Sequence, residues 1–270
     1  MFKVTDSIAI TSGKGGVGKT TISVNLAIAF KQLMNDVLLL DTDLGMANSH
    51  ILLGANPKFT LENVLAGEKN IDEVVVNSKS GISLVSGGSA TTNLLNLNNN
   101  QRLSLMHQIE NYLKQLKKTK LIVDVAAGAE DNSVIFANAC GRIVVVIVGE
   151  PTSFIDAYSL IKTINLKSSF KNFCLVINQV ENKKIADNIF LKFQEITSKF
   201  LDVKLHYVGF VQQSNLIRKS IIKREPIISS NPNLDLSKNF LKIAHEILKT
   251  PENDWGGLSF VTKSKNQAIN

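Results

Sequence analysis

The stretch Gly13-Lys14-Gly15-Gly16-Val17-Gly18-Lys19-Thr20-Thr21 decides the fold. It fits G-x-x-x-x-G-K-[ST], the P-loop pattern. Its glycines let backbone N–H groups close around phosphate oxygens where a side chain would intrude. In such a loop Lys19 reaches the β- and γ-phosphates of a nucleotide, and the Thr20 hydroxyl holds Mg2+. The flanks agree with this. Ile8-Ala9-Ile10-Thr11 is a short apolar strand, and residues 21–33 read as a helix with Ile22, Leu26, Ala29 and Leu33 on one face. Phosphate would then sit on a helix N-terminus, where free N–H groups and the helix dipole favour negative charge.

Further apolar runs lie outward from this stretch, several of them ending in a polar residue. Val37-Leu38-Leu39-Leu40 ends in Asp41-Thr42-Asp43, Leu121-Ile122-Val123 ends in Asp124, and Phe173-Cys174-Leu175-Val176-Ile177 ends in Asn178. Uninterrupted apolar runs suit parallel strands buried on both faces, and ligands of such sheets lie beyond the strands' carboxyl ends. Asp41 and Asp43 are placed there to hold water or metal, or else to solvate a strand end and cap the next helix. Asp124 after its strand is the Walker B arrangement, which binds Mg2+ directly or through water. Gly128 permits close backbone approach to a γ-phosphate. Asn178 offers an amide donor and a carbonyl acceptor to a purine edge.

Strands are also expected at 82–85, 143–148 and 208–211. Helices are expected at 101–118, 129–140, 182–200, 214–223 and 236–248, with a brief one between Thr60 as N-cap and Gly67 as its stop. The pattern implies one α/β domain, a doubly wound P-loop fold with a mostly parallel central sheet flanked by helices, over residues 1–250. Residues 251–270 are a separate tail.

The chain has 270 residues, of which 44% are hydrophobic, enough for one large α/β core. It has no run of about 18 uncharged apolar residues, so no transmembrane helix is expected. The N-terminus passes almost directly into the first strand and reads as lacking a signal peptide. Cys140 and Cys174 lie in apolar surroundings far apart, which suits buried thiols in a reducing cytoplasm. The four histidines show no metal-ligand spacing. The net charge of +7 includes the basic stretches 114–120 and 218–224. Without interleaved aromatics these read better as solvated helix faces than as a nucleic-acid surface.

Lys14 directly follows the first glycine of the loop. Here the chain resembles the deviant Walker A ATPases, the family that contains MinD, ParA and the flagellar number regulators. The resemblance implies that Lys14 crosses a dimer interface to the phosphates of the partner's ATP; the simpler alternative is a local charge on its own site. Asp41-Thr42-Asp43-Leu44-Gly45-Met46-Ala47-Asn48 resembles the family's switch I, which implies that Asp43 positions the attacking water and that Asp41 lies near the Mg2+ shell. Asp124 to Gly128 resembles switch II, although Val125 stands where many relatives carry Thr or Ser. The resemblance makes Asn178 the adenine contact. Gln212 and Ser214 stand where relatives usually carry Pro and Asp.

The strings at 43–48, 150–162 and 200–203 look most like the flagellar FleN/FlhG branch. The resemblance therefore implies an ATP-dependent homodimerising switch with Mg2+-dependent ATP hydrolysis, cycling between ATP and ADP and regulating flagellar number and placement. Lys14, Lys19 and Asp43 would be catalytic. Gly13 to Thr21, Gly128 and Asn178 would bind nucleotide, and Thr20, Asp124 and Asp41 would serve the metal. A flagellar transcription activator and an SRP-type flagellar GTPase are the implied partners. The alternatives are MinD-like positioning of the division site and ParA-like DNA binding. In the tail, Trp255, Leu258, Phe260 and Val261 are apolar and Lys263 and Lys265 basic, so a short membrane or partner anchor stands beside a tail that packs on the domain or stays disordered, the latter favoured because Gly256-Gly257 interrupts any helix.

Overall fold

The apolar runs become the middle of one sheet. The computed structural model describes residues 6–34, 36–43, 47–88, 97–116 and 119–252. Its strands are β1 (Ser7–Thr11), β2 (Asp36–Asp41), β3 (Val76–Asn77), β4 (Ser83–Val85), β5 (Thr119–Asp124), β6 (Arg142–Ile147), β7 (Asn172–Val180) and β8 (Lys204–Gln212). Among the described residues they form an eight-stranded sheet in the order β3-β4-β2-β5-β1-β6-β7-β8. Every pairing is parallel except the antiparallel edge pair β3–β4.

The helices are α1 (Lys19–Met34), α2 (Ser49–Leu52), α3 (Leu61–Leu65), α4 (Ile71–Val74), α5 (Asn99–Gln115), α6 (Asp131–Asn138), α7 (Pro151–Ser168), α8 (Lys183–Ser198), α9 (Asn215–Lys223), α10 (Ile227–Ser230) and α11 (Asp235–Lys249). They cover both faces of the sheet, which is why its central strands tolerate no polar alternation. Successive strand residues point to opposite faces and so join different cores. Leu38, Leu40, Val123 and Val145 meet Leu105 and Ile109 of α5, Val134 of α6, Leu160 and Ile164 of α7 and Phe193 of α8. Leu39, Ile122, Val144, Ile8 and Ile10 meet Ile22, Leu26 and Phe30 of α1 and Phe240, Ile243 and Ile247 of α11. Each such side chain contributes about 1.5–3 kcal/mol by leaving water.

This is the doubly wound α/β domain expected from the sequence, with local differences. Helix α1 starts at Lys19 rather than at residue 21, because the N–H of Ile22 already donates to Gly18 O at 3.1 Å. Leu33 does not share the buried face: it is 45% exposed in the last turn of α1. Helix α5 starts earlier than expected, at Asn99, because Asn98 caps it through a capping box with Gln101. The Thr60 cap and the Gly67 stop of α3 are present, Gly67 adopting φ +74. Strand β8 begins at Lys204 instead of Val208. As an edge strand it is only partly covered, so its first half carries no continuous apolar run.

The opposite end of the sheet is fastened by charge. Arg142, at the start of β6, donates to Asp6 at 2.7 Å, to Glu252 at 2.8 Å and to Thr250 O at 3.1 Å. Lys120 also pairs with Asp6. Both cysteines are free and buried, as expected, and burial pushes both thiols up. Among the described residues no helix is long and apolar enough to cross a membrane. The expected anchor residues between 255 and 265 lie outside the described residues.

Candidate nucleotide site

The loop between β1 and α1, and the ends of β2, β5, β6 and β7, converge at the carboxyl edge of the sheet. The P-loop is held there by its own packing. Val17 is buried in the α1 core, while Gly16 and Gly18 adopt φ +80 and +85, which only glycine accepts without strain. Gly13 is required for a different reason. A Cβ there would lie 2.1 Å from the backbone carbon of Asp156, so Gly13 lets α7 pack directly on the loop. A Cβ on Gly15 would meet nothing within 4 Å, so packing within the described residues does not require glycine there. The Gly128 N–H donates to Ser12 O at 2.9 Å, and the Ser12 hydroxyl donates to Lys14 O at 2.9 Å. These bonds join residues that are expected to approach phosphate.

Lys19 and Asp124 form the buried centre. The ammonium donates to Asp124 Oδ1 at 2.7 Å, the Ser23 hydroxyl donates to the same oxygen at 2.9 Å, and the Ser49 hydroxyl donates to Oδ2 at 3.3 Å. Burial pushes the Lys19 ammonium down, but the charge and hydrogen bond of Asp124, with help from Asp41 and Asp43, outweigh it and leave the pKa raised. Asp41 is also fully buried. Its two oxygens accept the N–H groups of Asp43 and Ser49, each at 3.1 Å. Burial first, and then the like charge of Asp124, push its carboxyl up to about 7, against the pull of those N–H groups and of Lys19. Thr42 ties the two strand ends together, its N–H donating to Asp124 O at 2.9 Å and its hydroxyl at 3.1 Å.

Asp43 is half-buried, and its segment rests on Gly87, where a Cβ would come within 2.9 Å of the carbonyls of Asp41 and Asp43. Residues 44–46 of the expected switch I lie outside the described residues. Thr20 is half-buried in the first turn of α1, and its hydroxyl makes no hydrogen bond among the described residues. A hydroxyl and carboxylates are the hard oxygen donors that Mg2+ takes, so this set fits the metal.

Lys14 stands apart from that centre. It is 38% exposed and donates to Glu150 Oε2 at 2.8 Å and to the Thr152 hydroxyl at 3.0 Å, at the start of α7. Asn178 is buried and donates to Val17 O of the P-loop at 2.7 Å. Together with Gln179, Gly16, Gly18 and the 211–215 segment it lines a cavity of about 440 Å³. The departures from the family pattern have local explanations. The Val125 side chain is wholly buried in the apolar core, where a hydroxyl would need a partner. Gln212 donates to Glu181 O at 2.7 Å, and the Ser214 hydroxyl accepts the Leu216 N–H as the N-cap of α9, a task that Asp performs equally well.

The fold and this loop define the class: a P-loop nucleotide-binding ATPase. The chain belongs to the CobQ/CobB/MinD/ParA nucleotide-binding domain family, whose profile matches residues 8–227. It is 36% identical over 255 residues to the antiactivator FleN of Pseudomonas aeruginosa, covering 94% of this chain and 90% of that protein. It is 31% identical over 241 residues to the flagellum site-determining protein YlxH of Helicobacter pylori, covering 89% of this chain and 81% of that one. Among solved structures, a chain of the MinC:MinD cell division protein complex of Aquifex aeolicus shares the fold with a TM-score of 0.74 at 22% identity, over 90% of this chain and 96% of that one. MinD of Pyrococcus horikoshii, solved with Mg-ADP, has a TM-score of 0.70 at 21% identity, over 91% and 97%.

Ser23, Ser49, Glu150 and Thr152 join the site without being singled out by the sequence motifs. Ser23 could have been found, since it lies one helical turn after Lys19 on the same face. Glu150 follows a buried strand just as Asp41 and Asp124 end theirs. Ser49 carries no such signal, because it reaches Asp124 across a fold that only the sheet order reveals.

Proposed function

We propose that this chain is an ATP-dependent dimerising switch that regulates the number and placement of flagella. The observation that carries the switch is the separation of its two loop lysines. Lys19 is buried on Asp124, whereas Lys14 is at the surface and bound only to exposed groups, free to serve a phosphate outside its own centre. The flagellar role rests on the near-full-length similarity to FleN and YlxH.

In this reading the loop N–H groups of Gly13 to Thr21 and the Gly128 backbone cradle the phosphates. Lys19 exchanges Asp124 for the β- and γ-phosphates, and Asn178 meets the adenine. Asp124 and the Thr20 hydroxyl would hold Mg2+, with Asp41 beside them, and the ion would supply positive charge to offset charge developing on the phosphates. Asp43 orients the attacking water, and Lys14 neutralises developing charge on the partner's nucleotide. ATP then favours the dimer and hydrolysis returns monomers. Residues 251–270 are left for contact with a partner or a membrane. A flagellar transcription activator and an SRP-type flagellar GTPase are the partners to seek. The test is deletion of the gene followed by counting flagella per cell and recording their position; unchanged number and position would refute the flagellar role.

A further inference from the structure

The end of β7 is irregular at one residue. Ile177 pairs with Phe210 and Val180 with Gln212, so β7 carries one more residue than β8 across this interval. The extra residue is accommodated by Gln179, whose φ is +58. A side chain in this left-handed region is strained, and such residues gather where a ligand is held. A bulge of this kind re-aims side chains. In a regular strand Asn178 and Gln179 would point to opposite faces of the sheet. Here both line the 440 Å³ cavity beside the P-loop.

The two amides are not equivalent. Asn178 is buried and spends an N–H on Val17 O, and its Nδ2 lies only 2.5 Å from where a Cβ on Gly18 would be. It is clamped to the loop and links the base end of the cavity to the phosphate end. Gln179 is exposed at the cavity mouth, its Nε2 3.7 Å from the same Gly18 position, and its side-chain amide makes no hydrogen bond among the described residues. Its carboxamide therefore keeps both its donor and its acceptor for a ligand.

Resting on the nucleotide-binding reading above, we infer that Gln179 is a base-specificity residue that reads the edge of adenine and discriminates it from guanine. A Gln carboxamide matches the adjacent N6 donor and N7 acceptor of adenine. Guanine presents two acceptors at that edge, O6 and N7, and leaves the Gln oxygen facing O6. The strain at φ +58 is retained because relieving the bulge would turn this amide away from the cavity.

The experiment compares wild type, Gln179→Gly and Gln179→Ala, full-length, by competition binding of ADP and GDP and by thermal melting without nucleotide. Gly accepts the left-handed backbone and Ala does not, while both remove the amide. The expected result is a loss of roughly tenfold or more in the preference for ADP over GDP in both variants. The Gly variant should melt above the Ala variant. A preference unchanged in either folded variant would overturn the role of Gln179, even with the expected order of melting temperatures. Wild type that binds neither nucleotide would refute the parent reading itself, a result separable from the first because it appears before any substitution.

Discussion

Lys14 is bound within its own chain, its ammonium 2.8 Å from the carboxylate of Glu150. Both groups are substantially exposed, at 38% and 61%, so the pair contributes only about 0–1 kcal/mol. It can fix where Lys14 rests without holding it against a phosphate. Glu150→Gln should therefore change the stability of the nucleotide-free protein by less than about 1 kcal/mol, as read by urea unfolding. A larger loss would mean that the contact is a structural tie and that Lys14 is not free to leave.

Lys19 and Asp124 are the contrasting case. Their pair is 7% and 0% exposed, so removing one partner leaves a charge in the interior. Asp124→Asn should destabilise the protein by about 3–5 kcal/mol in urea unfolding. The double variant Asp124→Asn with Lys19→Met should recover much of that loss, because no uncompensated ammonium remains. Additive losses would show that the two groups do not depend on each other.

Two glycines of the same loop should behave differently. Gly13→Ala forces a Cβ against the backbone of α7, so it should lower the melting temperature and disturb the loop even without ligand. Gly15→Ala meets no neighbour in the chain, so it should keep the melting temperature within a few degrees and weaken ATP binding instead. Thermal melts paired with nucleotide titrations read both effects. Equal thermal losses would contradict the assignment of Gly15 to the ligand.

Asp41 gives the nucleotide-free protein a definite pH dependence. Its folded value, pushed up to about 7, lies above the ordinary 3.8, so the folded state holds this proton more tightly than the unfolded state. Its contribution is most favourable below the ordinary value and is lost as pH rises toward 7. Asp41→Asn removes that titration. Between pH 4.5 and 7.5 the metal-free variant should show a flatter stability profile than wild type, whatever the offset between the two curves. Parallel profiles would contradict the burial argument for Asp41.

Much of this site was legible because strand and loop chemistry are local. The apolar runs before Asp41, Asp124 and Asn178 identified buried parallel strands, and parallel strands place their carboxyl ends together. The P-loop glycines were legible as a set but not individually. The constraint on Gly13 comes from Asp156, far along the chain, and no local pattern announces it. The same holds for Ser49 on Asp124 and for Glu150 on Lys14, which meet only once the sheet order is known. The left-handed turn at Gln179 was invisible because a non-glycine residue leaves no sign of positive φ in the sequence. The first half of edge strand β8 is not legible, because partial exposure breaks the apolar run that marks a buried strand.

In the proposed switch, Lys14 completes a site on a second copy of the chain. Light scattering during size-exclusion chromatography tests it most directly, comparing ADP with ATP plus Mg2+ on wild type and Lys14→Ala. The expected result is a wild-type dimer with ATP plus Mg2+ but not with ADP, and a Lys14→Ala protein that binds ATP yet stays monomeric. A wild-type monomer under every condition, or a variant that dimerises like wild type, would contradict it.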